Sequence, residues 1–168
     1  MAGRPERHTG ALKDIANRAG RSVFVAPALV HGTLVEAFAR LPDLDTPWER
    51  AVYVMFFVAE IHPFDDGNGR IARIMMNGEL AGNAETRIII PTVFRSDYLG
   101  ALRRLTRDDD PSVFVKAMRY AHDWTFGIEF DSVESATTHL AVTNAFEEDD
   151  SGRRLLLPQR SRDAIASL

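Results

Sequence analysis

From Trp48 to Ile61 the chain offers almost no polar face, and then it meets a proline. Ala51, Val52, Val54, Met55, Phe56, Phe57, Val58 and Ala59 are distributed all round a helix of this length. A helix that is apolar on every side is stable only with neighbours on every side, so this segment has to lie at the centre of the fold. Its start is marked by Thr46 as N-cap, Pro47 at the first helical position and Glu49 in the first turn. Its end is marked by Pro63, which disfavours the helical conformation for His62. His62 is therefore expected at or just past the end of the central helix.

The remaining pattern supplies the neighbours. Leu29 to Arg40 reads as a helix from the spacing of Leu34, Val35, Phe38 and Leu41. A second helix is expected from Asn68 to about Ala81, with Ile71, Ile74, Met75 and Gly78 on one side and Arg70, Arg73 and Asn77 on another. Ser96 to Thr106, Ser112 to Phe126 and Val133 to Phe146 predict three more. Val23-Phe24-Val25, stopped by Ala26-Pro27, is the clearest β signal. Ile88-Ile89-Ile90 before Pro91 is expected as a buried extended connection and not as part of a sheet. Residues 1–21 form a polar segment with at most a short helix over Ala11 to Arg18. Residues 22–130 form the core, and residues 131–168 a C-terminal helix with a peripheral tail that contains the apolar patch Leu155 to Leu157. The expected fold is mostly α.

Composition narrows the function classes. The 168 residues carry a net charge of −4, so no general basic field invites nucleic acid or an anionic membrane. There is no cysteine, which removes disulfides and thiolate zinc sites and fits a reducing compartment. No apolar run reaches membrane-spanning length, and Met1 to Arg21 lacks the apolar core of a secretory signal. The cytoplasm is the expected location.

Against that background, His62 to Arg73 stands out: His-Pro-Phe-Asp-Asp-Gly-Asn-Gly-Arg-Ile-Ala-Arg. Gly67 and Gly69 allow backbone angles closed to other residues, and successive N–H groups in such a turn form an anion-binding nest. The turn opens into a helix, whose free N–H groups and positive dipole end add to the attraction. Arg70 lies in that first turn, where a cation is out of place unless it clamps an anion; its planar fork suits phosphate oxygens. Arg73 follows one turn later. Asp65 and Asp66 adjoin the turn, and one aspartate is enough for a Mg²⁺ that takes its other ligands from water and the substrate's phosphates. His62 ionises near neutrality and can take a proton from an attacking hydroxyl. Phe64 is expected to turn inward and anchor the loop. Each residue alone has an ordinary structural role, as helix end, solvated turn or exposed face. Their contiguity points to phosphoryl-type chemistry.

This run resembles the signature of the Fic (filamentation induced by cAMP) domain family, His-Pro-Phe-x-Asp/Glu-Gly-Asn-Gly-Arg-x-x-Arg, and meets every defined position. A weaker likeness extends from about Val23 to about Tyr120. The resemblance implies a helical bundle with a short β-hairpin flap beside the active-site loop. The activity it implies is transfer of AMP from ATP to a Ser, Thr or Tyr hydroxyl of a target protein. Carried onto this chain, it implies His62 as the base and Asp66, not Asp65, as the Mg²⁺ ligand. Gly67, Asn68 and Gly69 would bind the α- and β-phosphates, with Arg70 and Arg73 on the outer ones. Val23, Phe24, Val25 and Ala26 would form the flap that docks the target by strand addition.

Alternatives remain on the same fold. The Doc-type branch moves the γ-phosphate and has a different turn; Gly67 and Gly69 favour the AMP-transferring orientation. Other members use other nucleotide or phosphocholine donors, and a non-catalytic or auto-inhibited module would keep the same fold. Many Fic proteins are inhibited by a glutamate on a helix bearing Ser/Thr-x-x-x-Glu-Gly/Asn, which pairs with the second motif arginine, here Arg73. Thr143 to Glu147 meets the first part, with Glu148 in place of the Gly or Asn, and Thr125 to Glu129 meets it equally. Glu147 is the inhibitory candidate; a missing N-terminal part or a partner such as an antitoxin is the other source of a regulator.

Overall fold

The computed structural model describes residues 10–167, so the first nine residues of the expected polar segment lie outside the described residues. The described chain is mostly α, with seven helices and one two-stranded hairpin. It divides between Asn83 and Ala84 into two compact units. The first holds β1 (Arg18–Ala19), β2 (Ser22–Val23), α1 (Pro27–Ala39), α2 (Pro47–Ile61) and α3 (Asn68–Gly82). The second holds α4 (Arg95–Asp108), α5 (Pro111–Phe126), α6 (Val133–Val142) and α7 (Gln159–Ala166). No helix among the described residues is long and apolar enough to cross a membrane.

In the first unit α2 is the core element. It begins in a reciprocal cap: the Glu49 N–H donates to Thr46 Oγ1 at 3.1 Å and the Thr46 N–H to Glu49 Oε2 at 2.9 Å. Ala51, Val52, Val54, Met55, Phe57, Val58, Ala59 and Ile61 are all buried. Helix α3 runs back along α2. Arg50 Nε of α2 meets Glu79 Oε1 of α3 at 2.6 Å, while Arg50 Nη1 donates to the Leu44 carbonyl, so one side chain ties both helices to the loop before α2.

The buried stripe of α3 differs from the expected one. Asn68, Ala72, Met76 and Leu80 face inward at a four-residue spacing, whereas Ile74 is 65% exposed and Gly78 is exposed. The stripe is set by Asn68, whose side chain turns into the preceding loop and rotates the helix by about one position. Apolarity alone had favoured Ile71, Ile74 and Met75.

One further expectation is corrected in this unit, the extent of the strand. The hairpin pairs Arg18 with Val23 and Ala19 with Ser22 through a Gly20-Arg21 turn, with Gly20 at φ +57°. Of the expected Val23-Phe24-Val25 strand only Val23 joins the ladder, because β1 starts at Arg18 and leaves no partner beyond the Phe24 N–H, which reaches the Asn17 carbonyl at 3.4 Å. Ala11 to Arg18 forms no helix. The Lys13 backbone N–H donates to the Pro63 carbonyl at 2.8 Å, and Lys13 Nζ to the Ile61 carbonyl at 3.1 Å, so this segment lies extended against the end of α2.

In the second unit Ile88 is buried in an extended connection outside any sheet, and the Ile89 N–H donates to Thr125 Oγ1 at 3.0 Å. Helix α6 stops at Val142, short of the expected Phe146. The tail is less peripheral than expected. Leu155 is buried, its carbonyl accepts from Tyr120 Oη at 2.6 Å, and α7 packs on α5 with Ser161 Oγ donating to the Asp123 carbonyl.

Candidate active site

The loop from His62 to Gly67 joins α2 to α3, and its two ends share one unusual backbone geometry. His62 caps α2 at φ 51° and ψ 58°, and Gly67 caps the start of α3 at φ 81°. For glycine the left-handed region carries no penalty. For histidine it costs about 1–2 kcal/mol, so the surrounding bonds have to hold it there.

Those bonds are dense. His62 Nδ1 lies 3.1 Å from the Ala59 carbonyl. A carbonyl only accepts, so in the neutral ring Nδ1 carries the proton and Nε2 keeps the lone pair. The Phe24 ring stacks on the imidazole, with centroids 3.8 Å apart and planes 5° from parallel. Burial holds the His62 pKa below its ordinary value, as does the nearby Lys13 charge, against opposing effects of the Ala59 hydrogen bond and Asp66. The His62 ring is thus held in one plane, with Nδ1 on the Ala59 carbonyl.

Asn68 holds the other half of the loop. It is 2% exposed, accepts from the Phe64 N–H at 2.8 Å and donates to the Phe64 carbonyl at 2.7 Å. Asn17 Nδ2 donates to that same carbonyl at 3.0 Å. The side chain of Asn68 is therefore committed to shaping the loop. What it leaves for a ligand is its backbone N–H, which with that of Gly69 opens α3 and has no acceptor inside the helix.

The charged residues sit on the outside of this scaffold. Asp66 and Arg70 are 74% and 71% exposed, and Arg70 Nη2 lies 3.7 Å from Asp66 Oδ2. Asp66 Oδ1 accepts from the Gly67 N–H at 2.7 Å. Side chains added at Gly67 and Gly69 would meet the guanidinium groups of Arg70 and Arg73, at 3.5 and 3.6 Å from the added carbon. These are ordinary contact distances, so what calls for glycine at 67 is its left-handed backbone and not the space around it. Among the described residues no group of three or more His, Cys, Asp or Glu side chains converges on a metal position.

Residues 2–80 match the model of the Fic/DOC family. A solved structure of a Fic domain containing signaling protein from Bacteroides thetaiotaomicron superposes with a TM-score of 0.58 at 25% identity, over 83% of this chain and 56% of that one. The matched part of the chain belongs to the Fic/DOC family. Among curated Fic relatives, the protein adenylyltransferase fic-1 of Caenorhabditis briggsae is 31% identical over 97 residues, 55% of this chain. The protein adenylyltransferase Fic of Drosophila persimilis is 39% identical over 70 residues, 42% of this chain. A probable protein adenylyltransferase of Aquifex aeolicus is 26% identical over 125 residues, 74% of this chain and 36% of its own length. The aligned stretch spans 19% of the Caenorhabditis protein and 14% of the Drosophila one.

Of the sequence-predicted Fic residues, the structure brings His62, Asp66, Gly67, Asn68, Gly69 and Arg70 into one loop and helix start, with Arg73 one turn on. Phe64 is half-buried. In the flap segment Val23 is exposed on the hairpin, Phe24 turns inward onto His62, and Val25 and Ala26 lead into α1. Glu147 stands in the second unit on a turn past the end of α6, with Arg153 Nε 3.5 Å from its Oε1, and not on a helix. Sequence reasoning missed Lys13 and Asn17. One signal was present: of the 20 Lys and Arg residues only Lys13 and Lys116 are lysines.

Proposed function

We propose that this chain is the Fic portion of a protein adenylyltransferase, which moves AMP from ATP to a Ser, Thr or Tyr hydroxyl of another protein. The observation that carries the reading is the state of His62: Nδ1 is pinned on the Ala59 carbonyl, so the basic nitrogen left for a substrate is Nε2. Nε2 takes the proton of the acceptor hydroxyl as its oxygen bonds to the α-phosphorus. The bond from that phosphorus to the α,β-bridging oxygen breaks, and pyrophosphate leaves with the electron pair. The N–H groups of Asn68 and Gly69 at the start of α3 hold the α- and β-phosphates, and Gly67, whose N–H is taken by Asp66 Oδ1, supplies the left-handed turn that leads into them. Arg70 and Arg73 hold the outer phosphates and the charge that gathers on the leaving group.

Asp66 suits a hard cation, since its carboxylate is exposed beside the phosphate nest and Mg²⁺ needs only one or two carboxylates besides water and phosphate oxygens. When bound, Mg²⁺ would neutralise phosphate charge. Val23, on the exposed hairpin, would offer the acceptor chain a strand edge, with Val25 and Ala26 continuing the docking surface.

The test is parallel incubation of the protein, Mg²⁺ and an acceptor lysate with α-labelled and γ-labelled ATP. The proposal expects protein-bound label from the α position only, lost with His62→Ala. Label from the γ position only would mean phosphate transfer and would overturn it. A silent wild type is repeated with Glu147→Gly, which would release inhibition by that residue.

A further inference from the structure

Two carbonyls flank His62 where α2 ends, and a single buried residue from outside the motif takes both. The backbone N–H of Lys13 donates to the Pro63 carbonyl at 2.8 Å, and Lys13 Nζ donates to the Ile61 carbonyl at 3.1 Å. Helix-end carbonyls have no partner within their own helix, and a cation is the favoured partner at that dipole end. Lys13 Nζ also donates to Asn17 Oδ1 at 2.7 Å, and Asn17 in turn donates to the Phe64 carbonyl. The carbonyls of Ile61, Pro63 and Phe64 are therefore all tied to residues 13–17. The same segment leads through the hairpin to Phe24, which lies flat on the imidazole, with Lys13 Nζ 6.0 Å from the Phe24 ring centroid.

A lysine that is 3% exposed and makes no ion pair with a carboxylate among the described residues is costly to keep charged, and burial lowers its pKa. Fold stability alone gives little reason for it, since an apolar residue would fill the space at lower cost. The cost is explained if the ammonium is needed where it is, on the carbonyl immediately before His62.

We propose that Lys13 and Phe24 are positioning residues of the His62 base. Lys13 fastens the left-handed backbone on both sides of His62, and Phe24 fixes the plane of its ring so that Nδ1 stays on the Ala59 carbonyl and Nε2 faces the acceptor. This rests on the reading of His62 as general base, and it adds two residues, from the N-terminal segment and the flap, that the motif does not contain. The charged groups that bear on the ring are Lys13 from the N-terminal segment and Asp66 from the loop. Removing the first leaves only the attraction of the second.

The experiment uses the full chain labelled with ¹⁵N and follows the His62 imidazole by long-range proton–nitrogen correlation across a pH titration. It compares wild type, Lys13→Met and Phe24→Ala, with ATP-dependent transfer measured alongside. Lys13→Met is expected to raise the His62 pKa. Phe24→Ala is expected to convert the Nδ1–H tautomer into a mixture of the two. Each is expected to lower kcat by roughly tenfold to a hundredfold with KM for ATP within about twofold, the signature of a misaligned base. A merely structural role lowers the melting temperature but leaves the His62 pKa and tautomer as in wild type, and that result overturns the proposal. If Lys13→Met does not fold, the tautomer in Phe24→Ala decides alone. If His62→Ala retains full transfer, the base reading fails, while the titration and tautomer still show whether these residues hold the ring.

Discussion

Asn68→Ala separates a residue that builds the phosphate loop from one that binds the phosphate through its side chain. The Asn68 side chain makes two hydrogen bonds with Phe64, at 2.8 and 2.7 Å, from a position 2% exposed. The two halves of this pair are not equal. After truncation the Phe64 carbonyl still has Asn17 Nδ2 at 3.0 Å, so that loss is a net bond of about 1 kcal/mol. Among the described residues the Phe64 N–H has no acceptor besides Asn68 Oδ1, and stranding a half-buried donor costs about 1–2 kcal/mol. The total is about 2–3 kcal/mol, which at a domain stability of about 5–15 kcal/mol leaves the protein folded. The melting temperature should fall by about 4–12 °C for a chain of this size. Calorimetry reads that fall, and amide exchange should show the Phe64 N–H losing its protection while α2 keeps its own. Asn17→Ala with Asn68→Ala should cost more than the sum of the single changes, because the Phe64 carbonyl is then left with neither donor. A loss below about 0.5 kcal/mol with phosphate affinity abolished would refute the reasoning and make Asn68 a direct ligand.

Other predictions follow from the same geometry. Burial, seconded by the Lys13 charge, lowers the His62 pKa, so the acid limb of the transfer rate should have its midpoint below histidine's ordinary 6.5. For stability the sign is that of a depressed base: as pH falls below 6.5 the unfolded chain takes up the proton first, and the His62 contribution is lost down to the folded pKa, which proton-linked denaturation measures. Thr46→Ala removes the cap of α2 and should cost about 1 kcal/mol in urea unfolding without altering nucleotide affinity. Gly127→Ala should destabilise the chain by about 1–3 kcal/mol. Its new carbon would stand 2.8 Å from Pro158 Cβ and closer still to Ser161 Oγ, and in hydrogen exchange the loss should appear at α5 and α7.

What the sequence made legible were features fixed by local chemistry. The cap at Thr46, the end of α2 at Ile61 ahead of Pro63 and the opening of α3 at Asn68 all depend on residues within a few positions of one another, and each lies where the spacing placed it. The loop from His62 to Gly67 was legible for the same reason. What escaped depends on partners distant in the chain. Lys13 reads as an ordinary polar residue until Ile61 and Pro63 are beside it. Phe24 reads as a strand residue until it is found on His62, and the face of α3 was misjudged because a polar residue, Asn68, leads the buried stripe. Apolarity counts cannot anticipate an asparagine buried to hold a turn.

The most direct test of the central claim is the mass added to an acceptor protein after a single turnover with Mg²⁺ and ATP. The wild type should add the mass of AMP to a hydroxyl-bearing residue, and His62→Ala, folded and still able to bind ATP, should add none. Addition of phosphate instead of AMP would contradict the account, as would AMP addition that persists undiminished without the imidazole of His62.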